Sequence, residues 1–118
     1  MSATITNLTY LNKMTEGNTE LIQEMIGIFT SQVDMYIGEM NSLYNKKDWK
    51  GLSRLAHRAK SAVAIMGMKS LADMLKEFEL YAKDQRNIEK YPEYIHRFTS
   101  ECSLACEELN SLTFKKTK

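Results

Sequence analysis

Apolar residues return at spacings of three and four along almost the whole chain, the period of an amphipathic helix rather than the alternation of a strand. From Thr19 to about Tyr44 the stripe is Leu21, Met25, Ile28, Phe29, Val33, Tyr36, Ile37, Met40 and Leu43, which predicts one long helix. Before it, Thr6 to Lys13 predicts a short opening helix, and Glu16-Gly17-Asn18 a turn. Asn45-Lys46-Lys47 ends the long helix, and Asp48 is placed to cap the next, which runs to about Met66 before Gly67 breaks it. Ser70 and Asp73 form a weak capping-box variant opening a further helix with Leu71, Met74, Leu75, Phe78 and Tyr81. After a polar loop, Asp84 to Asn87, Pro92 suits the first turn of a last helix through Ile95, Phe98, Cys102, Ala105, Cys106, Leu109 and Leu112. No stretch reads as a β-hairpin or a βαβ unit. The expected fold is all-α, an antiparallel four-helix bundle with a short extra N-terminal helix.

The segment after Asp48 repays a closer look, because each helical residue turns the chain by about 100°. With Leu55 at the origin, Leu52, Ala56, Ala59, Ala62, Val63 and Met66 fall on one apolar stripe between roughly −20° and +100°. His57 falls near 200°, roughly opposite the stripe, with Ser53, Lys60, Ser61 and Ala64 within about 60° of it. A lone imidazole therefore faces outward among small neighbours, with Lys60 one turn ahead and Ser61 beside it. By position alone this describes an ordinary surface histidine.

The 118 residues make one domain, with an expected core over about 5–113 and a frayed basic tail over 114–118. A net charge of +1 argues against nucleic-acid binding, which needs many cations on one face. Every hydrophobic stretch is broken by polar residues too soon for a signal peptide or a membrane span, so a cytoplasmic protein is expected. Cys102 and Cys106 sit four apart in a helical pattern, with Cβ atoms about 5–6 Å apart where a disulfide wants about 3.8 Å. They read as packing residues, as do the eight methionines. There is no Gly-rich phosphate cradle, no Gly-x-Ser-x-Gly elbow and no Cys-x-x-Cys, so the chain has no visible means of binding ATP.

The string His57-Arg58-Ala59-Lys60-Ser61-Ala62-Val63-Ala64-Ile65-Met66-Gly67 resembles the signature of histidine-containing phosphotransfer (HPt) domains: His, Lys three later, small residues next, Gly ten after the His. The resemblance extends over most of the chain, including Asp48-Trp49, the Leu55-Ala56 lead-in and the helix after Gly67. It departs at Ser61, where the family usually has Gly, which bears on how closely a partner backbone can approach. The resemblance implies that His57 is the phosphoacceptor and that Lys60 neutralises charge on the phosphoryl oxygens. Ser61 and Gly67 would be the small residues of the motif. The family commonly places a Glu or Gln on the next helix twenty-two residues after the histidine, close to its second nitrogen; here that position is Glu79, otherwise read as a solvated carboxylate. A neutral imidazole suits the task, since one nitrogen can attack while the other donates a hydrogen bond.

The resemblance further implies a phosphorelay intermediate between receiver-domain aspartates of response regulators, with a hybrid sensor histidine kinase as a further partner. It would act without autokinase activity or a cofactor of its own. Mg²⁺ and the acidic catalytic residues would belong to the receiver. A monomer is expected. Arg54 and Arg58 are candidate docking residues that could steer an acidic partner. Ile65, Met68 and the opening segment around Leu8 and Leu11 could form an apolar rim around the histidine, or equally pack in the core. Two alternatives remain at this level. One is the dimerisation and phosphoacceptor domain of a histidine kinase, which usually follows its histidine with an acidic residue and a nearby proline, where Arg58 and no proline stand here. The other is a helical adaptor with an incidental His57.

Overall fold

The computed structural model describes residues 6–111, and all regular structure within them is helical. Helix α1 spans Thr9–Thr15, α2 Thr19–Asn45, α3 Trp49–Ile65, α4 Lys69–Asp84 and α5 Tyr91–Asn110, with a single 3-10 turn at Ile88–Lys90 before α5. The expected tail over 114–118 and the last stripe residue, Leu112, lie outside the described residues.

Helices α2 to α5 run up and down in sequence because their joins are too short for anything else. Lys46–Asp48 joins α2 to α3. Asp48 caps α3 as expected, its carboxylate accepting from the Gly51 amide at 2.9 Å. Asn18 does the same for α2, accepting from Leu21 at 3.1 Å. Between α3 and α4 the chain turns at Gly67, whose φ of +76° is left-handed. Pro92 stands in the first turn of α5. The polar loop is shorter than expected: α4 runs through Asp84, and the chain re-enters helix at Ile88.

The capping box at Ser70 and Asp73 does not form. Met68 is the N-cap residue of α4 and makes no side-chain cap bond, while Ser70 Oγ instead accepts from Arg97 of α5 at 2.8 Å. A long-range cation has taken the hydroxyl that local spacing assigned to the helix end.

The core lies along the bundle axis, with Leu52, Ala59, Leu75, Phe78, Tyr91, Phe98 and Cys102 fully enclosed. The α3–α4 pair makes the most extensive helix contact in the molecule. Small residues explain this, since Ala56 and Ala59 on α3 and Ala82 on α4 are all fully buried and let the two helices approach closely. The expected stripe of α2 is only partly inward. Phe29, Val33, Tyr36 and Met40 are buried, whereas Leu21 and Ile28 are exposed, Ile28 by 54%. They lie with Met35, also exposed, on one line of the helix, seven residues apart.

Helix α1 lies across one end of the bundle. Leu11 is fully buried, and the Asn7 amide donates to the carbonyl of Met66 at 2.9 Å, tying the chain's start to the α3–α4 turn. That crossing explains Gly67 a second time, because a Cβ there would stand 2.1 Å from the carbonyl oxygen of Asn7.

Candidate functional site

Helix α3 buries Leu52, Leu55, Ala56, Ala59 and Val63, which turns Arg54, His57, Arg58 and Ser61 to the outside. The His57 side chain is 60% exposed. Its Nδ1 lies 3.1 Å from Oε2 of Glu79, which reaches across from α4. A carboxylate oxygen can only accept, so Nδ1 carries the proton and Nε2 presents its lone pair. The other Glu79 oxygen, Oε1, receives the Lys60 ammonium at 3.4 Å. One carboxylate therefore joins the imidazole and the cation that the motif places three residues apart.

The close packing of α3 on α4 sets this geometry. Ser53, one turn before His57, is 8% exposed and donates its hydroxyl to the main-chain oxygen of Glu79 at 2.9 Å. The helical wheel places Ser53 outward beside His57, and the structure corrects this: α4 covers that flank. No signal within α3 alone could have shown it, because the wheel gives an angle and not the neighbour that fills it.

Beside His57 and Glu79 an open groove of about 740 Å³ is bordered by Lys50, Arg54, Arg58 and Lys83, with Asp84 at its end. Arg58 also pairs with Glu39 of α2 at 3.5 Å. Four cations thus share one groove with the imidazole in a chain of near-zero net charge, an arrangement that can hold phosphoryl oxygens or an acidic surface. On the other flank of α3, half-buried Ile65 opens onto a small apolar cleft of about 90 Å³ with Met25, Ile28, Phe29 and Ala62.

Two candidates for an apolar rim fall away. Met68 is 2% exposed and Leu11 is fully enclosed, so both belong to the core; Leu8 packs partly against it. Their apolar character served burial, the commoner use of such residues. Ser61, four residues after His57, is exposed, and Gly67 serves the turn. The two cysteines are unbridged, Cys102 buried and Cys106 half-buried. Burial, more than the neighbouring Cys106 and Glu101, pushes the Cys102 thiol up to about 12. Among the described residues no group of three or more His, Cys, Asp or Glu is arranged to hold a metal ion. No described helix is long and apolar enough to cross a membrane.

The described residues thus form an all-helical bundle with an exposed histidine whose Nδ1 meets a carboxylate from the neighbouring helix. The family pattern of the Hpt domain matches residues 24–111, and the chain belongs to that family, the phosphotransfer modules of two-component signalling. No curated protein and no solved structure matches the chain.

Proposed function

We propose that the protein relays a phosphoryl group between receiver-domain aspartates of response regulators, through a phosphohistidine at His57. The observation that carries this reading is the division of labour on the ring: Nδ1 is engaged by Glu79 at 3.1 Å and Nε2 is the nitrogen left to attack. In the transfer, the Nε2 lone pair forms the N–P bond as the bond from phosphorus to the aspartyl oxygen breaks. The carboxylate leaves on the receiver. The ring, now carrying Nδ1–H and Nε2–P, becomes cationic, and the Glu79 carboxylate stabilises that charge as it develops. Lys60 neutralises the phosphoryl oxygens, whose charge is greatest in the transition state. Reversal of the same steps passes the group to a second receiver.

Docking falls to the surface around His57, with Arg54 and Arg58 drawing in an acidic rim and Ile65 giving apolar contact. Met68 is no longer part of it. Mg²⁺ and the acidic residues that use it stay with the receiver, so the chain works without a cofactor of its own, as a cytoplasmic monomer without autokinase activity. A hybrid sensor kinase is the expected source of the phosphoryl group, through its receiver.

The test is incubation with a phosphorylated receiver, followed by assay for acid-labile, base-stable phosphate. Wild type should take the label, and His57→Gln should fold normally and take none. Label retained in that variant would sink the assignment of His57, and no label on wild type from any receiver would sink the relay. Sedimentation at a monomer mass checks the oligomeric state.

A further inference from the structure

We infer that Ser53 is a positioning residue for the phosphoacceptor, holding the Glu79 carboxylate at the height of His57 by anchoring the α4 backbone at residue 79. The inference rests on the reading of His57 as phosphoacceptor and adds a residue that the motif does not contain.

A serine inside a helix is a weaker helix former than alanine and ordinarily turns its hydroxyl back onto a carbonyl of its own helix. Three helix threonines here do so. Thr15 donates to Leu11 at 2.8 Å, Thr30 to Gly27 at 3.0 Å and Thr99 to Ile95 at 2.8 Å. Ser53 instead crosses to another helix and meets the carbonyl of Glu79 at 2.9 Å, twenty-six residues away. The carbonyl it meets belongs to the residue whose carboxylate serves the imidazole.

Residue 79 is thereby held at three points by one flank of α3. Ser53 takes its backbone, His57 one carboxylate oxygen at 3.1 Å, and Lys60 the other at 3.4 Å. Spacings of four and three place the three side chains in a row down the helix. The two carboxylate contacts involve exposed or partly exposed side chains, which water and a docking partner can compete for. The Ser53 contact is neutral and comes from a side chain on a residue only 8% exposed, so it does not depend on the charge of the ring or of the phosphoryl group. Sliding of α4 along α3 by a fraction of a turn would carry the carboxylate away from Nδ1, and the crossed bond opposes that slide. Without it the imidazole would spend more time with its proton on Nε2, where it cannot attack.

The experiment reads the ring directly. Long-range ¹H–¹⁵N spectra of the unphosphorylated protein report the share of His57 carrying its proton on Nδ1, and single-turnover transfer from a phosphorylated receiver reports the rate. Ser53→Ala should stay folded by circular dichroism, lower the Nδ1–H share and slow transfer roughly three- to tenfold, the scale of a small misplacement at a reacting group. Ser53→Thr, which keeps the hydroxyl, should restore both, and Ser53→Val, of the same shape without it, should not. A wild-type tautomer and rate in Ser53→Ala overturns the inference. So does a Ser53→Thr protein that behaves as Ser53→Ala, which would assign the effect to volume. Because the spectra need no phosphate, a wild type that takes no label defeats the relay reading and leaves this measurement standing on its own.

Discussion

The Nδ1 atom of His57 stands 3.1 Å from Oε2 of Glu79, while Oε1 of the same carboxylate stands 3.4 Å from the Lys60 ammonium. The acid on α4 is thus shared by the imidazole and the ammonium. In the proposed relay, Glu79 satisfies the Lys60 charge before transfer, and a phosphoryl group on Nε2 would then offer it a stronger, more negative partner. On that reading the imidazole would keep its Glu79 bond and become a better donor to it as the ring turned cationic.

Substitution at Glu79 separates orientation from charge. Glu79→Gln keeps an oxygen that can accept from Nδ1–H but loses the negative charge, so single-turnover transfer should slow by roughly tenfold or less. Glu79→Ala loses both functions and should slow it by about 10- to 100-fold, the usual range for removing a partner that orients a catalytic histidine. Equal rates for Glu79→Ala and wild type would show that the carboxylate is a bystander.

Lys60→Ala tests the cation. The pair with Glu79 is partly solvated, so its loss should change stability by no more than about 0.5 kcal/mol. Transfer should fall by roughly tenfold, with Lys60→Arg recovering part of the loss, because the missing charge acts on oxygens whose charge peaks in the transition state. Urea unfolding and stopped reactions on the same preparations read the two effects. A variant as fast as wild type would leave Lys60 a surface residue.

Much of this was legible from spacing, and the parts that were not share a cause. Periodicity within one helix reveals which face is apolar, so α2 to α5 and the outward turn of His57 could be placed from the chain alone. It does not reveal what covers the flanks. Ser53 and Ser70 both had hydroxyls that a local reading assigned to solvent or to a helix cap, and each is claimed by a residue from another helix, Glu79 and Arg97. Leu21 and Ile28 fit the stripe of α2 yet are exposed, while Ile22, Ile26 and Phe29 beside them are buried, so the inward face is turned from the one the stripe suggests. Glu79 came from the resemblance and not from the pattern, since nothing in α4 distinguishes it from the neighbouring Glu77, whose carboxylate instead accepts from the Tyr94 hydroxyl at 2.5 Å.

Gly67 belongs to the family motif, yet its surroundings assign it to architecture. Its φ of +76° costs a residue with a Cβ about 1–2 kcal/mol, and that Cβ would lie 2.1 Å from the Asn7 carbonyl. Gly67→Ala should therefore cost at least about 2 kcal/mol, lowering Tm by roughly 10 °C, and should weaken the hold of Asn7 on Met66. At a temperature where the variant is fully folded, its transfer rate should stay within about twofold of wild type, since no contact of Gly67 reaches the imidazole. Calorimetry and transfer at 10 °C check both. A folded variant that no longer accepts phosphate would return Gly67 to the site.

Alkaline pH should destabilise the bundle through Cys102. Burial pushes its thiol from the ordinary 9.0 up to about 12, with Cys106 and Glu101 adding to the shift, and burial raises Tyr91 and Tyr94 as well. A raised folded-state value means the native protein holds a proton that the unfolded chain releases first. Below pH 9 the thiol is neutral in both states and its contribution is fully present; between 9 and 12 the unfolded chain ionises and stability falls as pH rises. Tm measured from pH 7.5 to 10.5 should thus decline, and more shallowly in Cys102→Ala than in wild type, with Cys106, whose thiol burial also raises, and the tyrosines accounting for what remains. The same burial makes the thiol inert, since the thiolate is the reactive form. Alkylation of native protein at pH 8 should modify half-buried Cys106 first and spare Cys102 until denaturant is added. Equal labelling of the two cysteines in the native state would contradict the burial of Cys102 and the alkaline prediction together.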